Sequence, residues 1–166
     1  NVINEVQSIT SIDEVNFEGN SDLIQSIGKE VDEAYLDQIA SLSLSPEAIK
    51  KQHDIGIVFS GIHGTGSVLV PEILKRIGFN NVHQVEEQVK PDGNFPTVIY
   101  PNPEEAEALR LALKKAEETG AELVMATDPD ADRVGIAVRN ESNEFQLLNG
   151  NQTGSLLVYY LLKKWK

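Results

Sequence analysis

The sequence contains no cysteine, which excludes disulfides and thiolate metal sites and leads to the expectation of a reducing, cytoplasmic setting. Basic residues are also scarce: 14 Lys plus Arg stand against 26 Asp plus Glu, a formal charge of -12. With no basic run interleaved with aromatics, nucleic acid is excluded as a partner. No apolar stretch approaches the roughly 20 residues that span a bilayer, and the start Asn1-Val2-Ile3-Asn4-Glu5 lacks the basic-then-apolar order of a secretion signal. No membrane partner is expected. Repeats and low-complexity tracts are missing too, so neither a solenoid nor a disordered tail is indicated.

What remains is 40% apolar and 24% charged sequence over 166 residues, enough for one ordinary core. Residues 1–166 read as a single domain, with a lead-in over residues 1–54 that carries a helix and an α/β core over residues 55–166. The loose alternation from Asn1 to about Phe17 suggests one or two extended pieces. Between Asp22 and Leu42, the spacing of Val31, Ala34, Tyr35, Ile39 and Leu42 predicts an amphipathic helix. Ser45-Pro46-Glu47 opens a short one toward Gln52.

Ile55–Phe59 is a compact apolar run ahead of the glycine-rich loop Ser60–Gly66, and it predicts a buried strand. A helix with Val68, Leu69, Ile73, Leu74 and Ile77 on one stripe follows and stops at Gly78. Val82–Val85 forms a second strand. Lys90–Pro103, with four prolines and Gly93, is an ordered loop, after which Asn102-Pro103-Glu104-Glu105 starts a helix that runs to Thr119-Gly120. Leu123–Ala126 is the third strand, Val134–Val138 the fourth and Phe145–Leu148 a possible fifth, with a last helix over Gln152–Trp165.

Strand–helix–strand repetition makes the first three strands parallel. Only seven residues separate the third and fourth strands, too few for a crossover, so that pair is antiparallel. The fold class expected is three-layer α/β/α, with a mixed, mostly parallel sheet of about four strands.

The chemistry concentrates in Thr127-Asp128-Pro129-Asp130-Ala131-Asp132-Arg133, directly after the third strand. Pro129 forbids a helix there, and in a straight strand the outer aspartates would lie roughly 13 Å apart. Only a tight loop lets all three converge. At about 5 Å and an effective dielectric near 20, each carboxylate pair repels by roughly 3 kcal/mol, so convergence calls for a cation. All-oxygen ligation suits Mg²⁺. An EF-hand fails, because counting from Asp128 the sixth position is Arg133 instead of Gly and the twelfth is Arg139 instead of Glu. The bland reading, three acids splayed into solvent at a turn, is weakened by the loop's place at the carboxyl end of a parallel strand beside Arg133.

The loop Asp128–Arg133 within Leu123–Val138 resembles the metal loop of the alpha-D-phosphohexomutases (phosphoglucomutase/phosphomannomutase). Gly61–Pro71, containing His63-Gly64-Thr65-Gly66, resembles that family's strand-to-helix turn, and Pro101-Asn102-Pro103-Glu104 its proline-bounded helix start. Leu148–Gln152 resembles the segment closing the same domain, so the likeness covers about Ile55 to Leu162. It implies the second domain of a four-domain isomerase, an intramolecular phosphotransferase interconverting hexose 1-phosphate and hexose 6-phosphate through an enzyme phosphoserine and a bisphosphate. It further implies Asp128, Asp130 and Asp132 as Mg²⁺ ligands and Arg133 as the catalytic and substrate-binding contact to the transferring phosphate. The partners implied are a sugar phosphate and the other domains of the same polypeptide.

The family's serine loop with His-Asn-Pro, its Gly-Glu-Ser loop and its Arg-rich phosphate loop have no counterpart in this sequence. The chain is therefore expected to be inactive alone. It opens on Asn1 instead of Met and its last helix-like segment carries on to Lys166, so a fragment of a longer protein is expected. Phosphopentomutases of the same superfamily share the aspartate loop, which keeps a pentose phosphate open as substrate. A noncatalytic domain that binds a divalent metal or a partner protein is the rival of a different class. His63 is a further candidate substrate contact, although Gly61, Gly64 and Gly66 favour a structural role for it in a tight turn.

Overall fold

The computed structural model describes residues 1–165, and the continuation of the last helix to Lys166 lies outside them. These residues form two compact units, one from Asn1 to Val31 and one from Asp32 onward. In the first, α1 (Val2–Ser8) is followed by single 3-10 turns at Ile12–Glu14 and Ser21–Leu23. The extended pieces expected before Phe17 are thus replaced by a helix and turns. Among the described residues no strand pairs with the segment, so its backbone bonds close locally, with Asn1, Ser11 and Asn20 side chains capping the successive turns.

The helix expected from Asp22 begins only at Gly28: α2 spans Gly28–Ser41. Asn20 accepts from the Asp22 N–H and holds that stretch as a separate turn, and Gly28 itself has φ 51°, outside the helical region. The expected stripe also shifts. Leu36 is the buried residue of α2, whereas Val31, Tyr35 and Leu42 are exposed.

Within the second unit come α3 (Pro46–Lys51), β1 (Ile57–Ser60), α4 (Gly66–Ile77), β2 (Val82–Gln84) and α5 (Glu86–Val89). They are followed by α6 (Arg110–Thr119), β3 (Leu123–Thr127), β4 (Val134–Arg139), β5 (Phe145–Leu148) and α7 (Gly150–Lys164). The sheet is α/β and mixed as expected, with five strands in the order β2-β1-β3-β4-β5 instead of about four. β1 pairs parallel with β2 and β3, while β4 runs antiparallel to both β3 and β5. From β1 the chain steps outward through α4 to β2, then returns through α6 to β3 on the other side of β1. Two right-handed crossovers in opposite directions put α4 and α6 on opposite faces, which gives three layers.

The core follows from these faces. All four residues of β1 are buried, and α6 presents Ala112 and Ala116, small enough to bring the helix down onto β1 and β3 among Val58, Leu109, Val124 and Ala137. Helix ends obey local chemistry: Gly78 and Gly120 take left-handed φ values of 119° and 69° beyond α4 and α6. α7 opens on a full capping box between Asn149 and Gln152.

One expected boundary moves for a packing reason. Helix α6 starts at Arg110, not at Pro103, and residues 103–109 wind as successive turns. Pro103 is fully buried, and its carbonyl lies where a side chain on Gly135 of β4 would project. Docking against β4 therefore fixes the backbone of the segment before a regular helix can begin. Gly135→Ala should cost about 2 kcal/mol or more, read as a lower urea midpoint, because backbone and not a yielding side chain blocks the new methyl. Gly154→Ala in α7 meets nothing within 4 Å and should be neutral or slightly stabilising in the same assay.

Candidate metal centre at the carboxyl end of the sheet

β1 and β3 are parallel neighbours, so the loops that follow them emerge at the same end of the sheet. After β1 comes the loop 61–65, and after β3 the acidic loop 128–133. The two are locked together. Thr65 donates its N–H (2.8 Å) and its hydroxyl (3.2 Å) to the Pro129 carbonyl, and a Cβ on Gly64 would overlap Pro129. Only glycine permits that approach.

The acidic loop turns on Asp128, which is 1% exposed. Its Oδ1 accepts from the Arg133 backbone N–H (2.9 Å) and its Oδ2 from Arg133 Nε (2.8 Å), while its carbonyl accepts from the Ala131 N–H (3.0 Å). Ala131 reverses the chain with φ 61°. One carboxylate oxygen each from Asp128, Asp130 and Asp132 then lies within 4.8 Å of the other two. The three acids named by the sequence are thus brought together, and they could hold a metal ion.

Charge is unevenly distributed in this cluster. Burial works to raise the Asp128 carboxyl, but hydrogen bonds from the Arg133 backbone and guanidinium, with a further one from Asp132, outweigh it and hold the group below the usual aspartate range. Asp132 shares its hydrogen bond with Asp128 and faces the charges of Asp130 and Asp128, so it is pushed up. Arg133 in turn is raised by its bond to Asp128. Its side chain is half exposed, which leaves the far edge of the guanidinium open to solvent.

His63 is placed differently from these four. It is buried and its ring nitrogens meet the Lys90 carbonyl (3.1 Å) and Thr97 Oγ1 (2.9 Å). Gln88 and Thr97, which the sequence did not single out, are bonded to each other (2.9 Å) in the same buried group. No periodicity marks them, since each is polar in a segment readable only as loop or strand end. Asp130 and Ala131 also border a cleft of about 480 Å³, whose other walls include Tyr35, Leu36, Leu69 and Val70 of α2 and α4.

The class that fold and site define is an α/β/α domain with a convergent carboxylate loop, able to hold a cation, at the carboxyl end of a parallel strand. The comparisons with known proteins narrow this. The family model described as phosphoglucomutase/phosphomannomutase, alpha/beta/alpha domain II, matches residues 33–142. The chain belongs to that family and corresponds to its domain II. A Haemophilus influenzae protein named "Probable phosphomannomutase" is 41% identical over 88% of this chain and 29% of its own length. A Staphylococcus saprophyticus phosphoglucomutase is 37% identical over 94% of the chain and 28% of its own length. The crystal structure of a phosphoglucomutase/phosphomannomutase family protein from Burkholderia thailandensis shares the fold, with TM-score 0.63 and 24% identity over 81% of this chain and 26% of that one. The chain therefore spans less than a third of the length of the curated relatives it matches.

The depressed titration of Asp128 has a consequence for stability. A lowered carboxyl contributes stability that is present above the ordinary aspartate range and is lost as pH falls through its lowered folded value. Arg133→Ala removes the guanidinium and shrinks that contribution. The difference in melting temperature between wild type and variant should therefore be largest near neutrality and narrow as pH is lowered.

Proposed function

We propose that this chain is the metal-loop domain of a magnesium-dependent phosphoglucomutase/phosphomannomutase, an isomerase that interconverts hexose 1-phosphate and hexose 6-phosphate. The convergence of Asp128, Asp130 and Asp132 beside Arg133 carries the reading. Three carboxylates with oxygen donors only, one of them buried and held ionised, fit a hard divalent cation and suit Mg²⁺. When bound, the ion supplies neutralisation of charge on a phosphate brought to the loop.

The rest of the site's work falls to the chain's own residues. Arg133 is tied through Nε to Asp128, so its terminal nitrogens are presented outward, where they bind and orient the transferring phosphoryl oxygens. In the reaction proposed, a phosphoserine elsewhere in the full polypeptide gives its phosphoryl group to the free hydroxyl of the sugar monophosphate, and the serine takes up the other phosphate of the bisphosphate. Each transfer breaks one P–O bond and forms another, so positioning and charge stabilisation are what this domain must supply. His63 is assigned a supporting place instead of a substrate contact, because protein atoms meet both its ring nitrogens. A hexose is favoured over a pentose by the names of the relatives.

The domain acts with the remainder of its polypeptide and is inactive by itself. Supporting this, α7 exposes Leu156, Leu157, Val158, Leu161 and Leu162, an apolar surface suited to packing against further protein. Among the described residues no helix is long and apolar enough to cross a membrane.

Titration of the chain with Mg²⁺ tests the metal assignment directly. At 100 times the dissociation constant, binding adds about 2.7 kcal/mol, a rise in melting temperature of roughly 5 to 10 °C, and Asp130→Asn should abolish it. A shift that persists in the variant would move the ion to another site. In the full-length protein, Arg133→Ala should lower kcat for hexose phosphate by about a hundredfold or more. An unchanged kcat would remove Arg133 from the phosphate.

A further inference from the structure

A buried chain of hydrogen bonds lies behind the loop 61–65. The Ile62 N–H donates to Ser60 Oγ (3.0 Å), the Ser60 hydroxyl donates to Gln88 Oε1 (2.6 Å), and Gln88 Nε2 donates to Thr97 Oγ1 (2.9 Å). Thr97 Oγ1 meets His63 Nε2 (2.9 Å), and His63 Nδ1 meets the Lys90 carbonyl (3.1 Å). A carbonyl can only accept, so Nδ1 carries a proton, and in the neutral imidazole Nε2 then accepts from the Thr97 hydroxyl. Each link of the chain then pairs one donor with one acceptor. The His63 backbone is held as well: its N–H donates to the Gln88 carbonyl (3.0 Å) and its carbonyl accepts from the Asp92 N–H (3.1 Å).

This amount of bonding is matched by strain. Ile62 and His63 stand at φ 45° and 60°, left-handed values that a β-branched residue rarely adopts and that persist only where surroundings over-determine them. Those two residues deliver Gly64 and Thr65 onto the Pro129 carbonyl, inside the acidic loop.

From this geometry we infer that Gln88 and Thr97 are positioning residues for the acidic loop, acting through His63 and the Thr65–Pro129 clasp to hold the 128–133 backbone in its converged form. The inference builds on the metal-centre reading above, but its mechanical part stands without the ion. Thr97 has no hydrogen bond to an acid of the cluster and lies 31 residues before Asp128 in sequence, so its influence passes through His63 directly and through Gln88 and Ser60 to Ile62. Loss of its hydroxyl leaves Gln88 Nε2 without an acceptor and His63 Nε2 without a donor, and the strained turn loses the bonds that fix it. Supporting groups of this kind behind a metal site alter affinity by about 10- to 100-fold when removed.

The test uses Thr97→Val, which keeps the shape, and Thr97→Ser, which restores the hydroxyl. Thr97 is only partly buried, so both variants should fold; global stability is read from urea unfolding. Amide exchange of Thr65, Ala131 and Arg133, whose N–H groups close the clasp and the acidic loop, is followed on the metal-free chain. The expected result is exchange about tenfold faster at these three amides in Thr97→Val, beyond any change at β1 and β3, with recovery in Thr97→Ser. Exchange that is unchanged, or that rises equally across the sheet, overturns the inference whether or not the chain binds metal. Mg²⁺ affinity measured on the same proteins separates the two ideas: no binding by wild type sinks the metal reading alone. Binding by wild type and, with equal affinity, by Thr97→Val sinks the positioning role in metal capture.

Discussion

Three carboxylates drawn within 4.8 Å of one another repel, and the carboxyl end of this sheet is organised around resisting that repulsion. The resistance comes from backbone and side-chain hydrogen bonds together. Pro129 is gripped through its carbonyl by both donors of Thr65, and Asp128 is gripped through both carboxylate oxygens by Arg133. With those two points fixed, Ala131 has to reverse the chain at positive φ, and Asp130 and Asp132 are carried round to the side of Asp128. The hydrogen bond with Asp128 and the charges of Asp130 and Asp128 push the Asp132 carboxyl up, which is where the leftover repulsion shows.

The sheet determines where such a loop can exist. A crossover after β3 would have carried the chain away over a face, but β4 returns antiparallel and keeps the connection short. The parallel pairing of β1 with β3 places the glycine-rich loop beside it, in register from Ile57 opposite Leu123 to Ser60 opposite Ala126. Gly64 and Gly135 serve the same end from different sides: one lets the loop after β1 touch Pro129, the other lets Pro103 cover β4. Site and scaffold are therefore coupled through close backbone contacts, with few side chains in between.

Membership of the phosphoglucomutase/phosphomannomutase family sets this arrangement in a division of labour. The chain spans less than a third of its curated relatives' length, and on the function proposed above it contributes one component of a larger protein. The component proposed here is a stiff holder for a cation and one guanidinium. Stiffness is the relevant property, because phosphoryl transfer depends on placement of charge and gains little from protein covalent chemistry.

Much of this was legible in the sequence. Apolar runs bounded by glycine gave the three parallel strands, and the short connection of six residues between β3 and β4 gave the antiparallel turn. Pro129 between two aspartates pointed to a loop instead of a helix. These features are local, and they follow from backbone sterics and spacing. The sequence misjudged elements whose form depends on what lies across from them. Residues 1–17 alternate like a strand but find no partner and close into α1 and turns, and the proline-capped start at Pro103 gives way to turns because Gly135 receives its carbonyl. Leu36 outranks the expected stripe of α2 for the same reason. What the sequence by itself determined is the identity of the charged loop and the alternation of elements that exposes it. What only tertiary structure decided is the set of contacts that join Gln88, Thr97 and His63 to Pro129. Hydrogen bonds between residues well separated along the chain leave no period in a sequence, and only folding brings their donors and acceptors within 3 Å or so of each other.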